Sequence, residues 1–238
     1  MTLSAPVFIL KRQARTLARR EGIPLHAALD RVAAREGYAA WSLLSDRWDA
    51  QESPAALLAR LEPGELLLLG SRPGQGKTLL ALGLCVEALA RGGAAAFFTL
   101  DFTPEDVARS VAGFGRDVGE FGDRFVRDHS DAICAAHIEA RLTGAPAGMV
   151  VVVDYLQLLD QKREHPPLAA QVQALRRFAR ARDAIVVCLS QVDRRYDPAR
   201  GTLPGLADVR LPNPLDLALF DRACFLHAGR MAITSGAT

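Results

Sequence analysis

Residues 70–78 read Gly70-Ser71-Arg72-Pro73-Gly74-Gln75-Gly76-Lys77-Thr78, between an apolar run at 65–69 and a helix-forming stretch at 77–91. A glycine-rich turn from strand to helix points its backbone N–H groups inward, and the helix N-terminus adds partial positive charge. Both features favour phosphate oxygens. In such a loop Arg72, Pro73, Gly74, Gln75, Gly76, Lys77 and Thr78 form the cradle. Lys77 reaches the β- and γ-phosphates of ATP, and Thr78 offers its hydroxyl to Mg2+. The usual first glycine, five residues before Gly76, is Ser71, with Gly70 just outside. The alternative is a glycine-rich turn that serves packing alone.

A second segment supports the phosphate reading. Met149-Val150-Val151-Val152-Val153-Asp154 is a continuous apolar run ending in an acid, the pattern of a strand buried on both faces. Ligands of a parallel sheet gather at the C-terminal ends of its strands. Asp154 therefore faces the loop, where it can hold Mg2+ directly or through water.

Outward from these segments the chain alternates. Strands are expected at 65–69, 94–100, 149–153, 184–189 and 222–227, and helices at 77–91, 104–112, 131–142 and 168–182. That order implies an α/β domain, a mostly parallel central sheet covered by helices. Before it, residues 1–50 form a small all-helical basic unit, with helices at 7–21 and 24–37 and a short third segment carrying Trp41. Tyr38 and Trp41 are expected to supply its core. Residues 51–62 are a polar connection with one helical piece, and residues 63–238 are the α/β domain.

Half of the 238 residues are hydrophobic, 24% are charged and 6% are aromatic, enough for one sizeable core and unlike a disordered tail or a coiled-coil rod. No apolar run approaches the roughly 20 residues that span a bilayer. No basic segment precedes the short apolar stretch near the N-terminus, so no secretory leader and a cytoplasmic location are expected. The net charge of +2 makes no bulk case for nucleic acid. Only Lys11, Lys77 and Lys162 among the 29 basic residues are lysine, so a single arginine carries little signal. Lys11, Arg15 and Arg19 share one helical face, which can grip phosphates or simply meet solvent. Cys85, Cys134, Cys188 and Cys224 are widely spaced and read as reduced thiols in apolar surroundings. His129, His137 and His165 lack metal-ligand spacing. Phe97, Phe98, Phe102 and Phe125 read as core, and Asp160 as a turn cap.

Several segments resemble DnaB-type replicative helicases. Residues 72–78 look like that family's phosphate loop, and Val153-Asp154-Tyr155-Leu156-Gln157-Leu158 is close to its D-Y-L-Q-L strand. Leu189-Ser190-Gln191 resembles its L-S-Q, Leu100-Asp101-Phe102-Thr103-Pro104-Glu105 its S-L-E-M-x-x-E, and Asp208-Val209-Arg210 the start of its D-L-R-E-S-G loop. The resemblance implies a RecA-like P-loop NTPase fold and an ATPase cleaving ATP to ADP and phosphate with Mg2+. It further implies a homo-oligomeric ring, such as a hexamer, on single-stranded DNA in replication. Asp101 would orient the attacking water, Lys77 and Thr78 would bind phosphate and metal, and Asp154 would support the metal. Gln191 would sense the γ-phosphate and relay its loss to a DNA-contacting loop around Arg210. Arg194, Arg195 and Arg200 either face DNA in the ring or lie on a solvated loop. The basic N-terminal unit offers a surface for a protein partner, and no membrane is implied.

The resemblance has departures. Asp101 stands where the family has Glu, one methylene longer, and a misplacement of about 1 Å can cost ~10²-fold in rate. A competing reading makes Asp101 only a helix-start residue before Pro104. The D-L-R-E-S-G loop becomes Asp208-Val209-Arg210-Leu211-Pro212-Asn213-Pro214, which keeps Arg210 but stiffens the turn. No match appears for the family's late strand, whose Lys and Arg complete a neighbouring subunit's site, and Arg230 reads as a surface residue. Two functions follow: a helicase-like motor, or a nucleotide-dependent switch or assembly module with little hydrolysis and no unwinding.

Overall fold

The computed structural model describes residues 3–5, 7–45, 53–160, 164–197, 203–211 and 213–236. The strands are β1 (Leu66–Ser71), β2 (Ala95–Thr99), β3 (Phe125–Asp128), β4 (Val150–Asp154), β5 (Ile185–Gln191), β6 (Arg222–His227) and β7 (Arg230–Ser235). They form one sheet in the order β3-β2-β4-β5-β1-β6-β7. All pairings are parallel except β6 with β7.

Side chains alternate across this sheet, so each apolar strand feeds two cores. Leu67, Leu69, Phe97, Val152 and Val187 pack under α5 (Lys77–Ala90) and α6 (Pro104–Gly113). Leu66, Leu68, Phe98, Val153 and Val186 pack under α7 (Ala135–Arg141) and α8 (Leu168–Ala181). Phe125 is also core, while Phe102 is half-buried against the α5 side. Burial pushes the Cys188 and Cys224 thiols up to about 12, as expected of inert reduced cysteines. Cys134 is half-buried and precedes α7.

Two strands go beyond the sequence reading, both at sheet edges. β3 is four residues long with Arg127 exposed, so it shows no continuous apolar run. β7 is half-exposed, and it is turned onto β6 by Ala228 (φ 47°) and Gly229 (φ 80°). Positive φ at both central residues matches the twist of a two-residue hairpin. The 222–227 strand is therefore not the last one. The helix expected at 131–142 begins only at Ala135, because Asp131 and Ala132 form a turn.

The N-terminal helices are α1 (Val7–Glu21), α2 (Leu25–Arg35) and α3 (Trp41–Ser45), with the short α4 (Pro54–Leu58) against α5. Leu10, Ala14, Leu17, Ala28, Val32 and Leu44 form a separate core. Tyr38 and Trp41 are only half-buried on its rim, so this core is aliphatic and not aromatic. Among the described residues no helix is long and apolar enough to cross a membrane.

Candidate functional site

The C-terminal edge of the sheet collects the polar groups. β1 ends at Ser71, the loop turns through Gly74 (φ 78°) and Gly76 (φ 87°), and α5 starts at Lys77. Only glycine adopts those angles without strain, which is why both positions are glycine. Ser71 is buried in the strand, and its φ is not positive, so no glycine is required there. Gly70 has a packing reason: an added Cβ would stand 2.6 Å from the Phe225 ring. Gln75 accepts a hydrogen bond from the Ala228 N–H at 2.7 Å, which ties the loop to the β6–β7 turn. Lys77 and Thr78 are half-buried, whereas Pro73 and Gly74 are exposed.

Asp154 closes β4 and is 1% exposed, opposite Thr99 in the register. Its Oδ2 is buried and has no hydrogen-bond partner. Burial pushes its pKa up to about 6. The Lys77 charge and the Thr78 hydroxyl oppose that rise, and the Asp101 charge adds to it. Lys77, Thr78, Asp101 and Asp154 therefore share one field. A buried carboxylate oxygen beside a hydroxyl is a hard-oxygen donor pair, the kind a magnesium ion takes. Ser190 Oγ on the neighbouring β5 is likewise buried without a partner.

Asp101 lies just past β2 with its side chain exposed. Thr99 Oγ1 accepts from the N–H groups of Asp101 (3.2 Å) and Phe102 (3.3 Å), which fixes the turn. α6 is capped by Thr103, in a reciprocal box with Asp106. The helix-start role belongs to Thr103, while the Asp101 charge acts on Asp154. Thr99 had no motif to reveal it, since its role depends on the turn that follows.

Gln191 ends β5, opposite Ser71. With Tyr155, Gln157 and Arg210 it lines a cavity of about 210 Å³. Its carbonyl accepts from the Arg210 N–H at 2.8 Å, and Gln157 Nε2 donates to the Arg210 carbonyl at 3.1 Å. The structure thus brings Gln191 and the Arg210 segment together. Arg194 and Arg195 are exposed, with the Arg195 guanidinium 3.7 Å from Asp193. Arg200, Pro212 and the Asp160 side chain lie outside the described residues. His137 is hydrogen-bonded to the buried Asp128 at 3.0 Å, and Arg141 meets the same carboxylate.

The basic face of α1 reads differently in three dimensions. Arg15 donates to the Gly113 carbonyl at 3.4 Å and Arg19 to the Ala112 carbonyl at 3.3 Å, both at the C-terminal end of α6. The C-terminal end of a helix carries partial negative charge, so guanidinium groups settle there, even though the Ala112 carbonyl also accepts from the Gly115 N–H at 2.9 Å. Arg15 and Arg19 thus each have a partner within the protein, and Arg19 remains exposed. Lys11 is exposed.

A parallel sheet in this order, with a glycine loop and a buried acid at its C-terminal edge, defines a RecA-like α/β domain. Residues 124–215 match the model of the DnaB-like helicase C terminal domain. The replicative DNA helicase DnaB of Treponema pallidum (strain Nichols) is 28% identical over 205 residues, 73% of this chain and 46% of that protein. A solved ATPase domain superposes with a TM-score of 0.56 at 20% identity, covering 70% of each chain. A DnaB-like replicative helicase solved for its interactions with primase gives a TM-score of 0.51 at 19% identity, over 68% of this chain and 47% of that one. Taken with the sequence motifs, these matches support a divergent resemblance to DnaB-like helicase domains. It spans about half the length of the curated relatives it matches.

Proposed function

We propose that the chain binds ATP with Mg2+ at residues 72–78 and hydrolyses it as the motor domain of a DnaB-like DNA helicase in cytoplasmic DNA replication. The observation that carries this reading is Asp154, a buried carboxylate with one unpaired oxygen, in one field with Lys77, Thr78 and Asp101. A buried polar atom without a partner costs about 1–3 kcal/mol, and a metal ligand role accounts for its retention.

Each residue then has a task. The loop N–H groups and Lys77 bind the phosphates, and Thr78 and Asp154 hold the metal. When bound, Mg2+ neutralises charge on the phosphate oxygens. Asp101 orients a water in line with the terminal phosphate and draws on its proton. Gln191 reads the presence of that phosphate, and its hydrogen bond to Arg210 carries the change to the 203–211 segment. A homo-oligomeric ring would set Arg210, Arg194 and Arg195 toward single-stranded DNA. The division into a helical unit (1–50), a connection (51–62) and an ATPase domain (63–238) belongs to the same proposal, as does a protein partner on the helical unit.

A second reading, a nucleotide switch without unwinding, is favoured by the way the Arg210 segment is tied down. Val209 bridges Val192, and Arg210 is bonded through both its N–H and its carbonyl. Steady-state ATPase with and without single-stranded DNA decides between the two. Strong stimulation is the outcome for the motor, and tight binding with negligible turnover is the outcome for the switch. Asp101→Glu sharpens the test, because its longer carboxylate should raise kcat by up to ~10²-fold with little change in affinity. Asp101→Asn should lower kcat. Equal rates across the three forms would remove Asp101 from the mechanism.

A further inference from the structure

Leu3, Ala5, Phe8, Ile9 and Arg12 meet three segments around the proposed nucleotide site. Leu3 and Ala5 border Gly229 in the β6–β7 turn, where an added Cβ would lie 3.2 Å from the Ala5 carbonyl oxygen. That turn is the one whose Ala228 N–H bonds Gln75. Ile9, 7% exposed, presses its Cδ1 against Gly76, leaving no room for a Cβ there. Phe8 packs on the core beneath α5. One turn further along α1, Arg12 fills the space beside Gly113 and donates to Ser110 Oγ at 3.3 Å.

These contacts hold the phosphate loop at two adjacent residues. Gln75 is fixed by the β6–β7 turn and Gly76 by Ile9. Gly76 has a left-handed φ and immediately precedes α5, so a rotation there redirects the N–H groups that meet phosphate. Arg12 holds α6, the helix that follows Asp101 in the chain. Arg12 is also unlike Arg15 and Arg19: its Nε is buried and unpartnered. Desolvation, with the nearby Arg109 charge, holds its pKa below the ordinary arginine value. An apolar side chain would fill that place without the desolvation cost.

We propose that Ile9 and Arg12 are positioning residues of the nucleotide site, through which the N-terminal helical unit sets the shape of the phosphate loop and the placement of α6. The proposal rests on the ATP-binding reading above. Its consequence is reciprocal coupling: if α1 biases nucleotide affinity, bound nucleotide must bias the opening of α1 by the same factor.

The test uses the full chain and a fluorescent ATP analogue with Mg2+. Ile9→Ala should weaken analogue binding by roughly 5-fold or more, and Ile9→Val should restore it. Arg12→Ala should lower kcat more than it changes KM, because α6 carries the turn that presents Asp101. In the unmutated protein, hydrogen exchange at 7–21 should slow when the analogue binds, a response that a merely structural contact would not give. Exchange indifferent to the analogue, with Ile9→Ala binding as tightly as the parent, would overturn the proposal. If Ile9→Ala fails to fold, the exchange measurement decides alone. Lys77→Ala separates the two readings. Analogue binding that survives Lys77→Ala overturns the phosphate-loop reading and this proposal with it. Binding that is lost there but unaffected by Ile9 overturns the proposal alone.

Discussion

The edge of the sheet and the basic face of α1 are both rich in charge, yet the fold treats them in opposite ways. At the edge, Asp154 Oδ2 and Ser190 Oγ are buried with nothing to bond. On α1, Arg15 and Arg19 each donate to a carbonyl at the C-terminal end of α6. The first arrangement costs stability and the second contributes to it. The difference teaches that, in a chain where arginine is abundant, a cluster of charge says little about ligands. A polar group buried without a partner says more, because folding alone gives no reason to keep it.

The largest expected effect tests the edge. Lys77→Ala should abolish or greatly weaken ATP-analogue binding while circular dichroism stays unchanged, because Lys77 is half-buried at the first position of α5 and belongs to neither core. Unchanged affinity would break the contrast at its stronger side.

Asp154→Asn tests whether that edge is maintained at a cost. The folded-state pKa of about 6 lies above the ordinary carboxylate value, so the ionised form is disfavoured by folding. Stability linked to Asp154 is therefore complete below pH ~4 and is lost as pH rises through about 6. Asp154→Asn should melt higher than the parent at pH 8, by an amount equivalent to roughly 1–3 kcal/mol. The gap should shrink through pH 6 and close near pH 4. Mg2+-dependent turnover should be lost throughout. A variant that melts lower at pH 8 would mean that Asp154 is a structural residue.

The smallest effect is expected on α1. Arg15→Glu with Arg19→Glu places negative charge at the C-terminal end of α6, which should cost about 1 kcal/mol in a thermal melt. Binding to single-stranded DNA should keep its salt slope. A slope shallower by about one unit per lost contact would return this face to nucleic acid.

How much was legible in advance follows the range of the forces involved. The strand, loop and helix around Gly76 and Lys77 were legible, because their glycines and apolar period act within a few residues. Asp154 was legible because an apolar run ending in acid has few other readings beside such a loop. The α1 boundaries followed from Gly22 and the 3.6-residue period. Thr99 was not legible, since its hydroxyl matters only once the turn to Phe102 is formed. The partners of Arg15 and Arg19 are not legible either, because the carbonyls they meet lie on a helix distant in sequence.

By itself the sequence determined a parallel α/β domain with a phosphate-type loop, an acid on the strand beside it and a helical unit in front. Local propensity and burial pattern suffice for those. Only the tertiary structure decided that Gly70 makes room for Phe225, that β3 and β7 complete the sheet edges, and that Ile9 rests on Gly76. Each of these depends on a contact between segments far apart in the chain. Such a contact leaves no period or local conformational demand in the residues that make it, so it exists only after the cores have packed.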